Sequence, residues 1–309
     1  MIKTDLINWA KEKAKAGECY SNEILYDMCK KRGLSDTEAL AAEMLIIGRV
    51  YAASPQRRSY GTSKTVEDKG KKVTLHSPAS FNNGQDDFFT LLAKTMQDQD
   101  GFNTFLNDLK DLKSENYTFD LQKDKRILEK SIQLVSNFNE MLRTSIEIID
   151  GVDKLKTDKN GNYLSNITGE PLSRMNHVSF SSKFMHFNCP DIIFIIDQFA
   201  RDGGTKLCSS RVRKDAVLDR TITITKKDRL LDKEMESWIK ELTNNYNIVN
   251  MDDTLASDEA KLSDYIKHSV RSYFLAKVLF ENGIQDGINP FHYPRITDSI
   301  FLNVKEKDA

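Results

Sequence analysis

The sequence predicts a mostly α fold, two helical lobes with a small β-hairpin between them. Three observations carry this reading. Apolar residues recur at helical spacing along most of the 309 residues, the period changes once near the middle, and no repeat or low-complexity tract points to a solenoid. With 39% apolar and 29% charged side chains the chain has the composition of an ordinary globular protein, long enough to bury a sizeable core.

In chain order, residues 1–16 and 20–31 read as short helices, with Gly33 past the end of the second at a C-cap position. Ser35 and Glu38 have capping-box spacing and open a third helix over about 36–53, in which Leu40, Met44, Ile47, Val50 and Tyr51 form the apolar stripe. Arg49 to Lys72 then reads as a basic loop, with seven Lys/Arg against Glu67 and Asp68. Helical patterns resume at about 79–98, 101–113 and 121–149, where Leu128, Ile132, Val135, Phe138, Leu142, Ile146 and Ile149 mark a long core stripe.

The change of period lies between Gly151 and Pro171. Lys154 to Leu164 reads as two short strands around Asn160-Gly161, a surface hairpin occupying 151–172 between an N-terminal lobe (1–150) and a C-terminal lobe (173–309). Asp158, Asn160, Asn162 and Glu170 mimic a calcium loop, but the glycine falls one place before the third ligand, which favours the hairpin. Further helices follow at about 177–188, 197–210, 229–246 and 258–282, with Thr221 to Thr225 as a brief strand or extended link. The aromatic turn 289–295 closes the C-terminus over the core.

Several classes of function drop out on composition. Lys and Arg number 45 against 46 Asp and Glu, so no global charge advertises a nucleic acid or a membrane surface, and any such partner must be met by a local patch. No apolar run approaches the roughly 20 residues that span a bilayer, and the first residues lack a signal-peptide core, so a cytoplasmic chain is expected. Cys19, Cys29, Cys189 and Cys208 are too scattered for a zinc site, an iron–sulfur cluster or a disulfide framework. His186 and Cys189 have metal-like spacing without a second pair, and neither metal nor cofactor is expected. The Gly-x-Ser-x-Gly elbow, the phosphate-binding loop, the dinucleotide fingerprint and the His-Glu-x-x-His helix are all absent.

The segment richest in chemistry is 173–201. A helix ends near Pro190, an apolar run follows, and Asp197 opens the next helix. There its carboxylate would accept backbone N–H groups at the positive end of the helix dipole. Lys183 lies on the preceding helix, one turn before His186 and Phe187, so a helix–loop–helix of this length can bring lysine and aspartate to one end of the molecule. A surface lysine, a simple cap and a core histidine bonded to a carbonyl are the plain structural readings of Lys183, Asp197 and His186.

Ser182-Lys183, His186-Phe187, Pro190-Asp191, Ile195 and Asp197 together resemble the core of the helix-hairpin-helix DNA glycosylase superfamily, closest to a bacterial branch with the pattern Ser-Lys-x-x-His-Phe-x-x-Pro-Asp…Ile-x-Asp. The resemblance covers fewer than thirty residues, and the family's glycine-rich hairpin has no counterpart between Ser173 and Ser182. It implies a base-excision glycosylase or abasic-site lyase that extrudes a base into a pocket. Lys183 would attack the sugar C1′ as a neutral amine, and Asp197 would stabilise the developing cationic sugar or activate the nucleophile.

A second local signal is electrostatic. Between Arg201 and Leu230 there are nine Lys/Arg against four aspartates, an excess of five that equals the excess in 49–72. Arg57, Arg58, Arg201, Lys206, Arg211, Arg213 and Lys214 are the candidate phosphate contacts, with Gly203 and Gly204 offering backbone N–H groups. A solvated helix face with scattered ion pairs is the competing reading of the same charges. DNA is therefore the expected partner, and no membrane is. The alternative is a non-catalytic member of the same fold that binds nucleic acid or a protein partner, in a regulatory or phage-defence setting.

Overall fold

A computed structural model describes residues 4–16, 20–31, 33–51, 63–68, 71–76, 88–149, 177–208, 222–224, 229–246, 256–284 and 292–306. Over these residues the helices are α1 (Thr4–Ala16), α2 (Tyr20–Lys31), α3 (Thr37–Val50), α4 (Phe88–Gln97), α5 (Phe102–Lys113), α6 (Leu121–Ile149), α7 (Val178–Asn188), α8 (Gln198–Cys208), α9 (Lys233–Asn245), α10 (Ala256–Glu281) and α11 (Tyr293–Asn303). The strands β1 (Ser63–Asp68) and β2 (Lys71–His76) pair antiparallel, and β3 (Ile222–Ile224) pairs parallel with β4 (Val304–Glu306). The mostly α reading holds. The hairpin expected over 151–172, and the calcium-loop residues within it, lie outside the described residues.

The helix starts follow from capping chemistry. Asp120 Oδ1 accepts the Gln122 and Lys123 N–H groups ahead of α6, and Asp232 Oδ1 accepts those of Glu234 and Met235 ahead of α9. At α3 the cap is Asp36, whose Oδ1 accepts the Ala39 N–H at 2.9 Å, so the start predicted at Ser35 moves by one residue. The carboxylate one place further on reaches the third amide of the helix, which is the group an N-cap must satisfy. Within the expected basic loop 49–72, 63–68 and 71–72 are strand instead. In that register Val66 is paired with Val73 and Glu67 with Lys72 along the backbone.

Two further differences concern the C-terminal half. The aromatic turn is followed by α11, which has Pro294 in its first turn where the missing N–H costs nothing. Buried residues from both halves of the chain belong to one core cluster. α7 packs against α2, α3 and α6 from the first half and against α10 from the second, while α1 packs on α11. Phe180 to Asn188 are all buried, so α7 has no wet face to distinguish it as amphipathic. Phe138 of α6 stacks on Phe184 of α7 at 4.5 Å between ring centroids. Burying each such ring contributes about 2–3 kcal/mol, and both rings belong to the same core cluster.

Candidate active site around Lys183 and Asp197

After α7 the chain runs through Ile192 to Ile196, five apolar residues that are all buried although they join no sheet. A buried backbone without a sheet must find other partners for its polar groups. Here side chains supply them. Tyr117 donates its O–H to the Ile192 carbonyl at 3.1 Å, His186 Nδ1 donates to the Ile193 carbonyl at 2.8 Å, and His268 Nε2 donates to the Ile195 carbonyl at 2.8 Å. The Ile196 N–H donates to Ser182 Oγ, whose own O–H goes to the Ser179 carbonyl. Tyr26 completes the arrangement by donating to His186 Nε2 at 2.9 Å. His186 is thus the core histidine of the plain reading, held neutral because burial lowers its basicity well below the usual imidazole range.

The extended run delivers Asp197 to the start of α8. Its Oδ1 accepts the Ala200 N–H at 2.8 Å and its carbonyl accepts that of Arg201. The expected cap is therefore present, and its carboxylate lies within electrostatic reach of Lys183.

Lys183 is only 6% exposed. Its Nζ donates to Ser179 Oγ at 3.2 Å, one turn back on α7, and stands 5.7 Å from the centre of the Tyr51 ring. Burial lowers the basicity of the amine, while the Asp197 and Asp298 carboxylates oppose that shift and the Arg295 guanidinium adds to it. Arg295 and Asp298 come from α11, where Arg295 Nη1 donates to Asp298 Oδ2 at 2.9 Å. The Arg295 guanidinium also lies 6.0 Å from the centre of the Tyr51 ring, so both basic side chains stand near one aromatic ring. Tyr51 is fixed from behind by donating its O–H to Asn22 Oδ1 at 2.6 Å.

Beside this cluster a pocket of about 280 Å³ opens to the surface, lined by Ser179, Asp197, Gln198, Arg201 and Asp264 over an apolar floor of Val178 and Ile196. Ser179 links the two compartments, because it borders the pocket and accepts the hydrogen bond from Lys183. The arrangement can do what an amine nucleophile requires. It keeps an amine out of water, sets a carboxylate within electrostatic reach of it, and offers a neighbouring cavity large enough for a ring.

Lys183 and Asp197 lie within electrostatic reach of each other. The structure corrects two parts of the phosphate-contact set. Lys206 is 1% exposed within α8, so its ammonium faces the interior rather than a polyanion. Gly203 and Gly204 are packing residues: a Cβ on Gly203 would fall 1.8 Å from the Phe301 carbonyl oxygen, which is why α8 and α11 can approach so closely. Arg201 does border the pocket, but its Nη1 is bonded to Asp264 at 2.8 Å and its Nε lies 3.6 Å from Asp202. Arg57, Arg58, Arg211, Arg213 and Lys214 lie outside the described residues.

Sequence reasoning missed Tyr51, Asp264, His268, Arg295 and Asp298 as members of this region. Only Arg295 and Asp298 left a local trace, opposite charges three apart after a helix-starting proline. Comparisons with models of known families, with characterised proteins and with solved structures return no match.

Proposed function

We propose that this chain acts on DNA as an abasic-site lyase or base-excision glycosylase, with Lys183 as the nucleophile and Asp197 as the group that exchanges its proton. The observation that carries the reading is the buried Lys183 amine, of lowered basicity, within electrostatic reach of Asp197 and bonded to Ser179, both of which line a pocket. In the reaction, neutral Nζ attacks the aldehyde carbon C1′ of an abasic sugar. The carbinolamine loses water to give an imine, with Asp197 relaying the proton that leaves nitrogen and reaches the departing oxygen. Loss of a C2′ proton then expels the 3′ phosphate and cuts the strand. In this reading the phosphates are met by Arg57, Arg58, Arg211, Arg213 and Lys214.

The test is borohydride trapping on an oligonucleotide bearing an abasic site, with Lys183→Gln and Asp197→Asn in parallel. Reduction of the imine fixes a covalent adduct that the wild type forms, Lys183→Gln does not, and Asp197→Asn forms at least about tenfold more slowly. A wild type that traps nothing overturns the reading.

One observation favours a second reading, a non-catalytic nucleic-acid- or protein-binding member of the same fold. Asp197 and Asp264 outnumber Arg201 in the pocket, an acidic lining that does not itself hold phosphate. Retained DNA affinity without trapping, in the same experiment, would select it.

A further inference from the structure

The α11 residues next to Lys183 suggest how its charge is controlled. Asp298 is 3% exposed, and a buried carboxylate within electrostatic reach of a lysine is an obvious partner for it. The structure gives that carboxylate to another cation, since Asp298 Oδ2 accepts from Arg295 Nη1 at 2.9 Å while Lys183 Nζ turns to the neutral Ser179 Oγ. Arg295 and Lys183 meet on the same Tyr51 ring, at 6.0 and 5.7 Å from its centre.

We propose that Arg295 and Asp298 are positioning residues for Lys183, the guanidinium engaging the Asp298 carboxylate and thereby keeping it from pairing with the lysine amine. The charged groups acting on the amine are then Asp197 from the start of α8 and the Arg295–Asp298 pair from α11, while the turn after α3 presents the Tyr51 ring and α7 itself the Ser179 hydroxyl. The two members of the pair have opposite effects. Removing the guanidinium removes a cation that disfavours the Lys183 ammonium, and removing the carboxylate removes an anion that favours it. The proposal deepens the Schiff-base reading and rests on it for its purpose, though its test does not.

That test is reductive methylation of the whole protein with formaldehyde and cyanoborohydride, reading Lys183 by peptide mass mapping from neutral to alkaline pH. The unprotonated amine condenses with formaldehyde, water leaves, and cyanoborohydride hydride reduces the imine, so the rate follows the fraction of neutral amine. Relative to wild type, Arg295→Gln moves the Lys183 profile up by about one pH unit, roughly tenfold slower near neutrality. Asp298→Asn moves it down, and Arg295→Lys restores the wild-type profile. A structural loss would move Arg295→Gln and Asp298→Asn in the same direction. If Asp298→Asn does not fold, the contrast between Arg295→Gln and Arg295→Lys decides.

Coincident profiles for the wild type and Arg295→Gln would overturn the proposal, as would a wild-type Lys183 that stays unmodified until the most alkaline pH. A wild-type Lys183 that methylates near neutrality but traps no abasic DNA would refute the lyase reading alone and leave the role of the ion pair standing.

Discussion

Acid should loosen this protein through His268, and the size of the effect can be worked from its surroundings. The imidazole is buried, Nε2 donates to the Ile195 carbonyl, and Nδ1 is buried with no hydrogen-bond partner among the described residues. Protonation would place an unpaired N–H⁺ in the core, and burial accordingly pushes the group from 6.5 down to about 4. The unfolded chain binds this proton first as pH falls, so the stability is fully present above the unfolded value of 6.5 and is lost progressively down to about 4. Between about pH 7 and about pH 5 the loss amounts to about 2 kcal/mol, and about 3 kcal/mol is the limit at lower pH. His186, displaced in the same direction, adds to the fall.

The assay is urea unfolding of wild type and His268→Gln at the two pH values. A glutamine amide can still donate to the Ile195 carbonyl but takes up no proton. The wild-type midpoint should drop by roughly half a molar or more at the lower pH, and His268→Gln should lose about 2 kcal/mol less across the same interval. Equal falls in the two proteins would refute the argument.

Other consequences follow from packing and burial. Gly203→Ala should cost about 3 kcal/mol or more, because the added Cβ meets Phe301 backbone rather than a side chain that can rotate away; Gly204→Ala, whose Cβ meets the edge of the Phe301 ring at 3.3 Å, should cost less in thermal unfolding. Asp124 accepts the Thr118 and Phe119 N–H groups and the Tyr273 hydroxyl while wholly buried, and Phe119 sits at a φ of 59° that these bonds help to hold. Asp124→Ala should therefore destabilise by about 2–4 kcal/mol in chemical denaturation. The Cys189 and Cys208 thiols are each pushed up to about 12 by burial, so alkylation at neutral pH, read on their peptides, should proceed only at the rate of protein opening.

How much of the site was legible differs residue by residue. Asp197 was readable as a cap because capping is a matter between a side chain and the amides two or three places along. Lys183 was readable as a residue on a helix next to that cap, but not as a buried one. Every residue of α7 but Ser179 is buried, and a helix with almost no solvent side carries no amphipathic period. Lys206 was misread for a related reason: a basic residue in a basic segment looks like surface until the packing of α8 on α11 encloses it. His186 was assigned its carbonyl bond in outline, whereas His268 and Tyr117 were invisible as partners of the same extended run, since they come from elements that are distant in sequence.

What the sequence by itself determined is therefore local: the mostly helical character, most helix positions, the cap at Asp197 and the proximity of Lys183 to it along the chain. Each depends on contacts within one or two turns, and those are written in spacing. The tertiary structure alone decided that buried residues of both halves join one core cluster, that α11 brings Arg295 and Asp298 within electrostatic reach of Lys183, and that the Tyr51 ring stands near both Lys183 and Arg295. Burial and electrostatic environment are set by which distant segments close over a residue, and they determine whether a lysine is a solvated cation or an amine poised to react.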